Sequence, residues 1–133
     1  MNPGGYEPIP AETEAVARRI LNCAFRVHTA LGPGLLESVY EACLAYELRS
    51  EGSTVKRQLA LPVVYKGIRL DAGLRIDLWV DDKVIVELKA IDETKPIHLA
   101  QVLTYLRLSD TRLGLLINFN VTHLKRGIER VVL

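Results

Sequence analysis

Apolar residues recur along the chain with two different periods. Residues 12–31 and 35–50 place them at every third or fourth position, which is the spacing of one helix face. The Gly-Pro-Gly tripeptide at 32–34 separates these segments, because glycine suits a left-handed helix end and proline cannot continue the backbone hydrogen bonds. A further segment, 97–108, has helical spacing behind Pro96, a residue suited to a first helical turn. The pattern predicts three helices.

After Gly52 the period changes to that of extended chain. The segments with strand character are 54–64, 75–80, 84–89, 113–119 and 128–133. Pro62 favours an edge position for the first of them, and the nearly continuous apolar run of 113–119 is typical of a strand buried on both faces. Residues 122–127 predict a turn or a short helix. The order helix, helix, strands, helix, strand indicates a mixed α/β domain.

The most informative pattern is the alternation in the two strands that flank an Asp-Asp-Lys turn. The aliphatic positions are Ile76, Leu78 and Val80 before the turn and Val84, Val86 and Leu88 after it. These side chains share one face only if Val80 lies opposite Val84, which leaves a three-residue loop. The same register places Asp77 opposite Glu87, with Lys89 two residues further along the same side. The apolar pattern therefore predicts two carboxylates and an amine in one place.

Two carboxylates that face each other repel, so the pair Asp77 and Glu87 requires a compensating positive charge. Lys89 supplies part of that charge. A divalent cation would supply more, since carboxylate oxygens are ligands that Mg²⁺ and Mn²⁺ prefer. The simpler interpretation is a solvent-facing sheet surface that carries charged side chains, and the hairpin alone leaves both interpretations open.

Polar residues on two of the predicted helices extend this picture. The heptapeptide Gly34-Leu35-Leu36-Glu37-Ser38-Val39-Tyr40 opens the second helix, and Gln101 and Tyr105 lie one turn apart on the third. Together with Asp77 and the tripeptide Glu87-Leu88-Lys89, these elements resemble the GxxExxY protein family, a branch of the PD-(D/E)XK nuclease superfamily. The resemblance covers nearly the whole chain. It implies an α/β fold with a restriction-endonuclease-like core, in which helices flank a central mixed β-sheet.

The resemblance also implies roles for individual residues. The implied metal ligands are Asp77, Glu87, the backbone carbonyl of Leu88, and Glu37 directly or through water. Lys89 would orient the attacking water or stabilise developing negative charge, while Gln101 and Tyr105 would support the site or hold a phosphate. Ile76 stands where the superfamily name has proline, and Trp79 would crowd the site, stack on a base or seal it. The implied cofactor is Mg²⁺ or Mn²⁺, and the implied reaction is hydrolysis of phosphodiester bonds in nucleic acid.

Length and composition add a few limits. The 133 residues suit one domain over 11–133, preceded by an extended arm over 1–10 that is rich in Gly and Pro. No apolar run reaches the roughly 20 residues that a membrane helix needs, and the first ten residues lack the pattern of a secretory signal. We therefore expect no membrane association, a cytoplasmic location, and free thiols at Cys23 and Cys43.

The net charge of +1 means that nucleic acid would be contacted through a local patch. Two groups of basic residues are candidates for that patch: Lys56, Arg57, Lys66, Arg69 and Arg75 in the first, and Lys125, Arg126 and Arg130 in the second. Ordinary solvated surface charges are the simpler interpretation of both groups.

Three classes of function remain open from the sequence. The leading hypothesis is a metal-dependent nuclease, with DNA as the favoured substrate. The alternative is a catalytically inactive module of the same fold that binds nucleic acid or assembles with other proteins. A phosphohydrolase that acts on nucleotides is the third class. A homodimer would enlarge the contact area with DNA that so small a domain offers.

Overall fold

The computed structural model describes residues 7–133, so the first six residues of the predicted arm lie outside it. Residues 7–10 have no regular secondary structure. The helices and strands that follow are α1 (Ala11–Leu31), α2 (Glu37–Ser50), β1 (Val55–Tyr65), β2 (Ile68–Val80), β3 (Val84–Lys89), α3 (Pro96–Ser109), β4 (Leu113–Asn118), a short 3₁₀ helix (Leu124–Gly127) and β5 (Ile128–Val132). The predicted order of helices and strands is confirmed.

The strands form one mixed sheet in the order β1-β2-β3-β4-β5. β3 and β4 are parallel and are connected through α3, whereas the other neighbouring strands are antiparallel. β1 lies at the edge of the sheet, as Pro62 predicts, and its register with β2 shifts between Leu61 and Val63. The predicted mixed sheet flanked by helices is confirmed.

Apolar side chains pack on both faces of this sheet. On one face α1 and α2 cover residues such as Leu115 and Ile117, and on the other α3 covers Leu116. Because successive strand residues point to opposite faces, β4 contributes to both cores and is buried along its whole length. The strand beside it, β3, is buried on both faces too, so the charged residues near its end do not lie on an open sheet surface.

The register of the β2–β3 hairpin is the predicted one. Val80 pairs with Val84 and Leu78 pairs with Val86, which leaves a three-residue loop. Five of the six aliphatic residues of the hairpin pack against α1 and α2 on the expected face. The pairing therefore follows from the need to bury these side chains together.

The expectation that all six aliphatic residues share one face is wrong for Ile76, which packs on the α3 side. The neighbouring strand β1 shows the same change, since Val55 packs on the α1–α2 side and Leu61 on the α3 side. In a regular strand these two residues, six positions apart, would lie on the same face. Between these positions Gln58 has φ of 50°, in the left-handed region that an L-residue seldom adopts. Both strands thus change face around Gln58 and Asp77, and this irregularity positions the site.

Within residues 7–133, no helix combines the length and the apolar character needed to cross a membrane.

Candidate active site

Asp77 and Glu87 lie where the β2–β3 ladder ends, one residue beyond the pair Leu78 and Val86. The backbone N–H of Asp77 donates to Oε1 of Glu87 at 3.0 Å, and the backbone N–H of Leu88 donates to Oδ2 of Asp77 at 3.0 Å. Side-chain oxygens thus take the place of the backbone partners that a continued ladder would supply. Both acidic residues are buried. The two carboxyl groups predicted to meet are brought together.

The proximity of these two acids changes the protonation of Glu87. Burial raises the pKa of the Glu87 carboxyl to about 8, and the negative charge of Asp77 adds to the rise. The ammonium of Lys89 acts in the opposite direction but does not cancel these effects. At neutral pH, Glu87 is therefore mostly protonated unless further positive charge is brought to the site.

Glu37 is the first residue of α2 and enters the same electrostatic environment. Its partial burial raises the pKa of its carboxyl above the ordinary value, and the charge of Asp77 raises it further. Lys89 lowers the pKa of this group as it does that of Glu87. The charge of Asp77 thus reaches the third predicted carboxylate, and the predicted lysine acts on both Glu37 and Glu87.

Tyr40 explains how the loop before α2 is fixed. Its side chain is fully buried and stacks on Phe119, with ring centroids 4.6 Å apart. Its hydroxyl donates to the carbonyl of Gly32 at 2.6 Å and accepts from the N–H of Leu35 at 3.1 Å. Tyr40 therefore belongs to the core and holds the loop closed from within.

Gly34 fixes the same loop from the outside. Its φ of 98° lies in the left-handed region, where glycine is favoured, and its N–H donates to Oδ1 of Asn120 at 3.1 Å. The glycine and the tyrosine of the heptapeptide thus determine where α2 begins. Glu37, the third motif residue, is presented to the site as a result.

Leu88 and Lys89 follow Glu87 along β3. The carbonyl of Lys89 accepts from the N–H of Phe119 and so points toward β4. Because the backbone groups of successive strand residues point to opposite sides, the carbonyl of Leu88 points toward Asp77, as its N–H does. In the part of the chain that the structure describes, the half-buried Lys89 side chain forms no ion pair within 4.0 Å.

The two polar residues predicted on α3 have different surroundings. Tyr105 is half-buried, and burial together with the charges of Glu87 and Asp77 raises the pKa of its hydroxyl. Gln101 is exposed, and its side chain forms no hydrogen bond with any other described residue. Tyr105 therefore lies near the acidic pair, whereas no contact in the described part of the chain connects the Gln101 side chain to it.

A second polar group adjoins Asp77. Glu41 is buried and accepts from the guanidinium of Arg57 at 3.0 and 3.3 Å and from Nε2 of Gln58 at 2.6 Å. The same Nε2 donates to Oδ1 of Asp77 at 3.1 Å. The helical spacing of Glu41 from Glu37 is the only signal of this group in the sequence. Nothing in the sequence pattern indicates Gln58.

Comparison with protein-family models matches residues 14–131 to the PD-(D/E)XK nuclease superfamily. The chain belongs to this superfamily. Searches among curated proteins and among solved structures return no significant match. The PD-(D/E)XK architecture accounts for the mixed sheet flanked by helices described above.

The oxygen atoms available in this PD-(D/E)XK protein suit a cation site in which water or phosphate completes the coordination, rather than one formed by protein ligands alone. Within residues 7–133, no three His, Cys, Asp or Glu side chains form a group that could hold a metal ion. Asp77, Glu87 and the Leu88 carbonyl provide hard oxygen atoms. Mg²⁺ is commonly bound by one or two carboxylates, with waters and phosphates completing its shell. These residues therefore fit a hard divalent cation.

Three of the five residues of the first basic group form ion pairs, among them Arg69 with Asp71 at 3.6 Å. Lys56 contacts Asp82 at 2.9 Å, and Arg57 contacts Glu41. Trp79 is partly buried and packs against the core on the α3 side, with the ammonium of Lys56 5.2 Å from its ring centroid.

Proposed function

We propose that this protein is a Mg²⁺- or Mn²⁺-dependent nuclease of the GxxExxY family that hydrolyses phosphodiester bonds, with DNA as the favoured substrate. The observation that carries the proposal is the pair Asp77 and Glu87, buried side by side at the end of an opened hairpin. Such a pair is electrostatically unfavourable by itself, and Lys89 offsets the repulsion only in part. Added positive charge at this point stabilises both carboxylates.

Asp77, Glu87 and the carbonyl of Leu88 would hold the cation, with Glu37 contacting it through water. The bound cation would supply the positive charge that neutralises a phosphate and lowers the pKa of a water molecule. Lys89 would donate hydrogen bonds to the attacking water or to the developing charge on the phosphate oxygens. Tyr105, and Gln101 from the exposed face of α3, would hold a neighbouring phosphate.

The alternative is a catalytically inactive module that binds nucleic acid or another protein. It is favoured by the observation that each oxygen of Asp77 already accepts one hydrogen bond from the protein. Two such bonds would suffice for a purely structural role. However, an ionised carboxylate has about four lone-pair positions, so coordination is compatible with them.

Calorimetric titration with Mn²⁺ and cleavage of labelled DNA, each with and without chelator, test the proposal. We expect binding and metal-dependent cleavage in the natural protein and loss of both in Asp77→Asn. Nucleic-acid binding that persists in chelator without any cleavage would instead establish the inactive module. Turnover of nucleotides without polynucleotide cleavage would indicate the phosphohydrolase.

We further propose a homodimer, a single domain over residues 11–133 and a cytoplasmic location. Sedimentation equilibrium measures the oligomeric state, limited proteolysis tests the bounds of the domain, and fractionation of cells tests the location. A monomer at micromolar concentration that cleaves DNA at full rate would exclude the dimer as the active form.

A further inference from the structure

Gln58 connects two elements that do not otherwise meet at the site. Its Nε2 atom donates to Oε1 of Glu41 on α2 at 2.6 Å and to Oδ1 of Asp77 on β2 at 3.1 Å. Both acceptors are carboxylate oxygens, which only accept when ionised, so the amide nitrogen rather than its oxygen must face them. Each hydrogen of the amide is thereby used on a different carboxylate.

The backbone of Gln58 is distorted in a way that serves this contact. The β1–β2 pairs proceed from Arg57 with Leu78 to Leu59 with Ile76 and omit Gln58. Its φ of 50° is unfavourable for a residue with a side chain. Unfavourable backbone conformations that persist in folded proteins often occur at functional sites. The distortion is the point where β1 and β2 change face, so it also determines the environment of Asp77.

Glu41 and Arg57 hold the amide in place. The buried Glu41 carboxylate accepts from two nitrogens of Arg57 at Oε2 and from Gln58 at Oε1, so both oxygens are hydrogen-bonded. Asp77 is held at Oδ2 by the N–H of Leu88 and at Oδ1 by Gln58. Donors on both oxygens fix the rotation of the Asp77 carboxylate and leave a lone pair on each oxygen available.

We infer that Gln58 is a positioning residue that orients the Asp77 carboxylate for cation binding, with Glu41 and Arg57 supporting it. This inference rests on the proposed function and adds to it a residue outside the Asp77, Glu87 and Lys89 set. Residues that hydrogen-bond a metal ligand commonly change metal affinity by roughly 10- to 100-fold when they are replaced. Gln58 does not need to touch substrate or cation to have this effect.

The test is Mn²⁺ affinity, measured by calorimetry without nucleic acid, for Gln58→Met, Asp77→Asn and the control Lys83→Met in the β2–β3 loop. Methionine preserves side-chain length but has no N–H donor. We expect Gln58→Met to weaken Mn²⁺ binding by roughly tenfold or more. Lys83→Met should leave the affinity unchanged, and Asp77→Asn should abolish binding. The melting temperature of each variant shows that the protein is folded at the temperature of the titration.

If Asp77→Asn loses binding while Gln58→Met binds like the natural protein, the positioning role is overturned and the proposed function stands. If Asp77→Asn binds like the natural protein, the proposed function fails and the inference fails with it. If Gln58→Met unfolds, Gln58→Gly is used in its place, because glycine adopts a φ of 50° without steric strain. Unchanged Mn²⁺ affinity in the glycine variant would overturn the inference, and weakened affinity would support it.

Discussion

The backbone N–H of Asp77 donates to the side chain of Glu87 at the position where β2 and β3 separate. This contact places the Glu87 carboxyl, whose raised pKa favours the neutral form, beside the buried carboxyl of Asp77. If the site had no function, a neutral residue in place of Glu87 would avoid the repulsion between the two carboxylates. A cation bound between them would instead stabilise the folded protein.

The cation-free protein should lose stability as the pH rises. In the unfolded chain Glu87 loses its proton near the ordinary glutamate pKa of 4.5, whereas the folded protein retains the proton until about pH 8. Between these values the folded state binds more protons, so raising the pH favours unfolding. Urea unfolding in chelator should show a free energy of unfolding lower by a few kcal/mol at about pH 8.5 than at about pH 5.

The variant Glu87→Gln is the control for this effect. At the higher pH in chelator it should be more stable than the natural protein, and its stability should change less across the same range. Equal pH dependence in the two proteins would show that Glu87 is not the group responsible.

Lys89→Ala should separate catalysis from metal binding. The ammonium influences the pKa of both Glu37 and Glu87, but lysine is not a cation ligand. We expect cleavage to fall by roughly 10²- to 10³-fold while Mn²⁺ still binds. Single-turnover cleavage and calorimetry measure the two quantities, with Lys83→Ala in the β2–β3 loop as a control. Natural cleavage rates in Lys89→Ala would remove Lys89 from the mechanism.

Tyr40→Phe should loosen the loop that presents Glu37. The variant keeps the ring stacked on Phe119 but removes the hydroxyl that bridges Gly32 and Leu35. The expected cost is about 1–3 kcal/mol in the free energy of unfolding, because buried backbone groups lose their partner. Tyr46→Phe, on the exposed side of α2, is the matched control and should change little. Equal stabilities would contradict the bridging role.

Gly127→Ala should destabilise the end of the sheet next to the site. A Cβ at Gly127 would lie 2.2 Å from the carbonyl oxygen of Asn118, a contact that only a backbone shift can relieve. Asn118 is buried, pairs with Lys89 across β3 and β4, and bonds both backbone groups of Ile91. We expect a loss of about 1–3 kcal/mol.

Gly114→Ala makes a useful comparison, because its Cβ would meet the Val102 and Leu106 side chains rather than a backbone atom at closest approach. Thermal unfolding of both variants measures the difference in their stability. A Gly127→Ala protein as stable as the natural one would show that this end of the sheet is more adaptable than its packing indicates.

The hairpin register is predictable from sequence because the side-chain period of a strand is two, so one burial requirement fixes every pair. Val80 and Val84 illustrate this. The prediction for Ile76 is wrong because that period assumes a regular strand, and β2 changes face between Ile76 and Leu78, opposite the left-handed Gln58 of β1. No propensity marks a glutamine for this conformation.

The contacts around Asp77 are less predictable than the pair itself. Glu41 and Gln58 are 17 positions apart and meet only because α2 packs over β1 and β2. The burial of Glu41 and its link to Asp77 through Gln58 depend on this tertiary packing, which no local pattern encodes. Tyr105 reaches the acidic pair, whereas Gln101, one turn earlier, is exposed.

The proposed nuclease function requires Asp77 and Glu87 to bind a divalent cation together. Its most direct test is a crystal of the protein soaked in Mn²⁺ and measured at a wavelength where manganese scatters anomalously. We expect an anomalous peak within coordination distance of both carboxylates and of the Leu88 carbonyl, about 2.0–2.3 Å from each oxygen. A fully soaked crystal with Mn²⁺ elsewhere and no peak between Asp77 and Glu87 would contradict it.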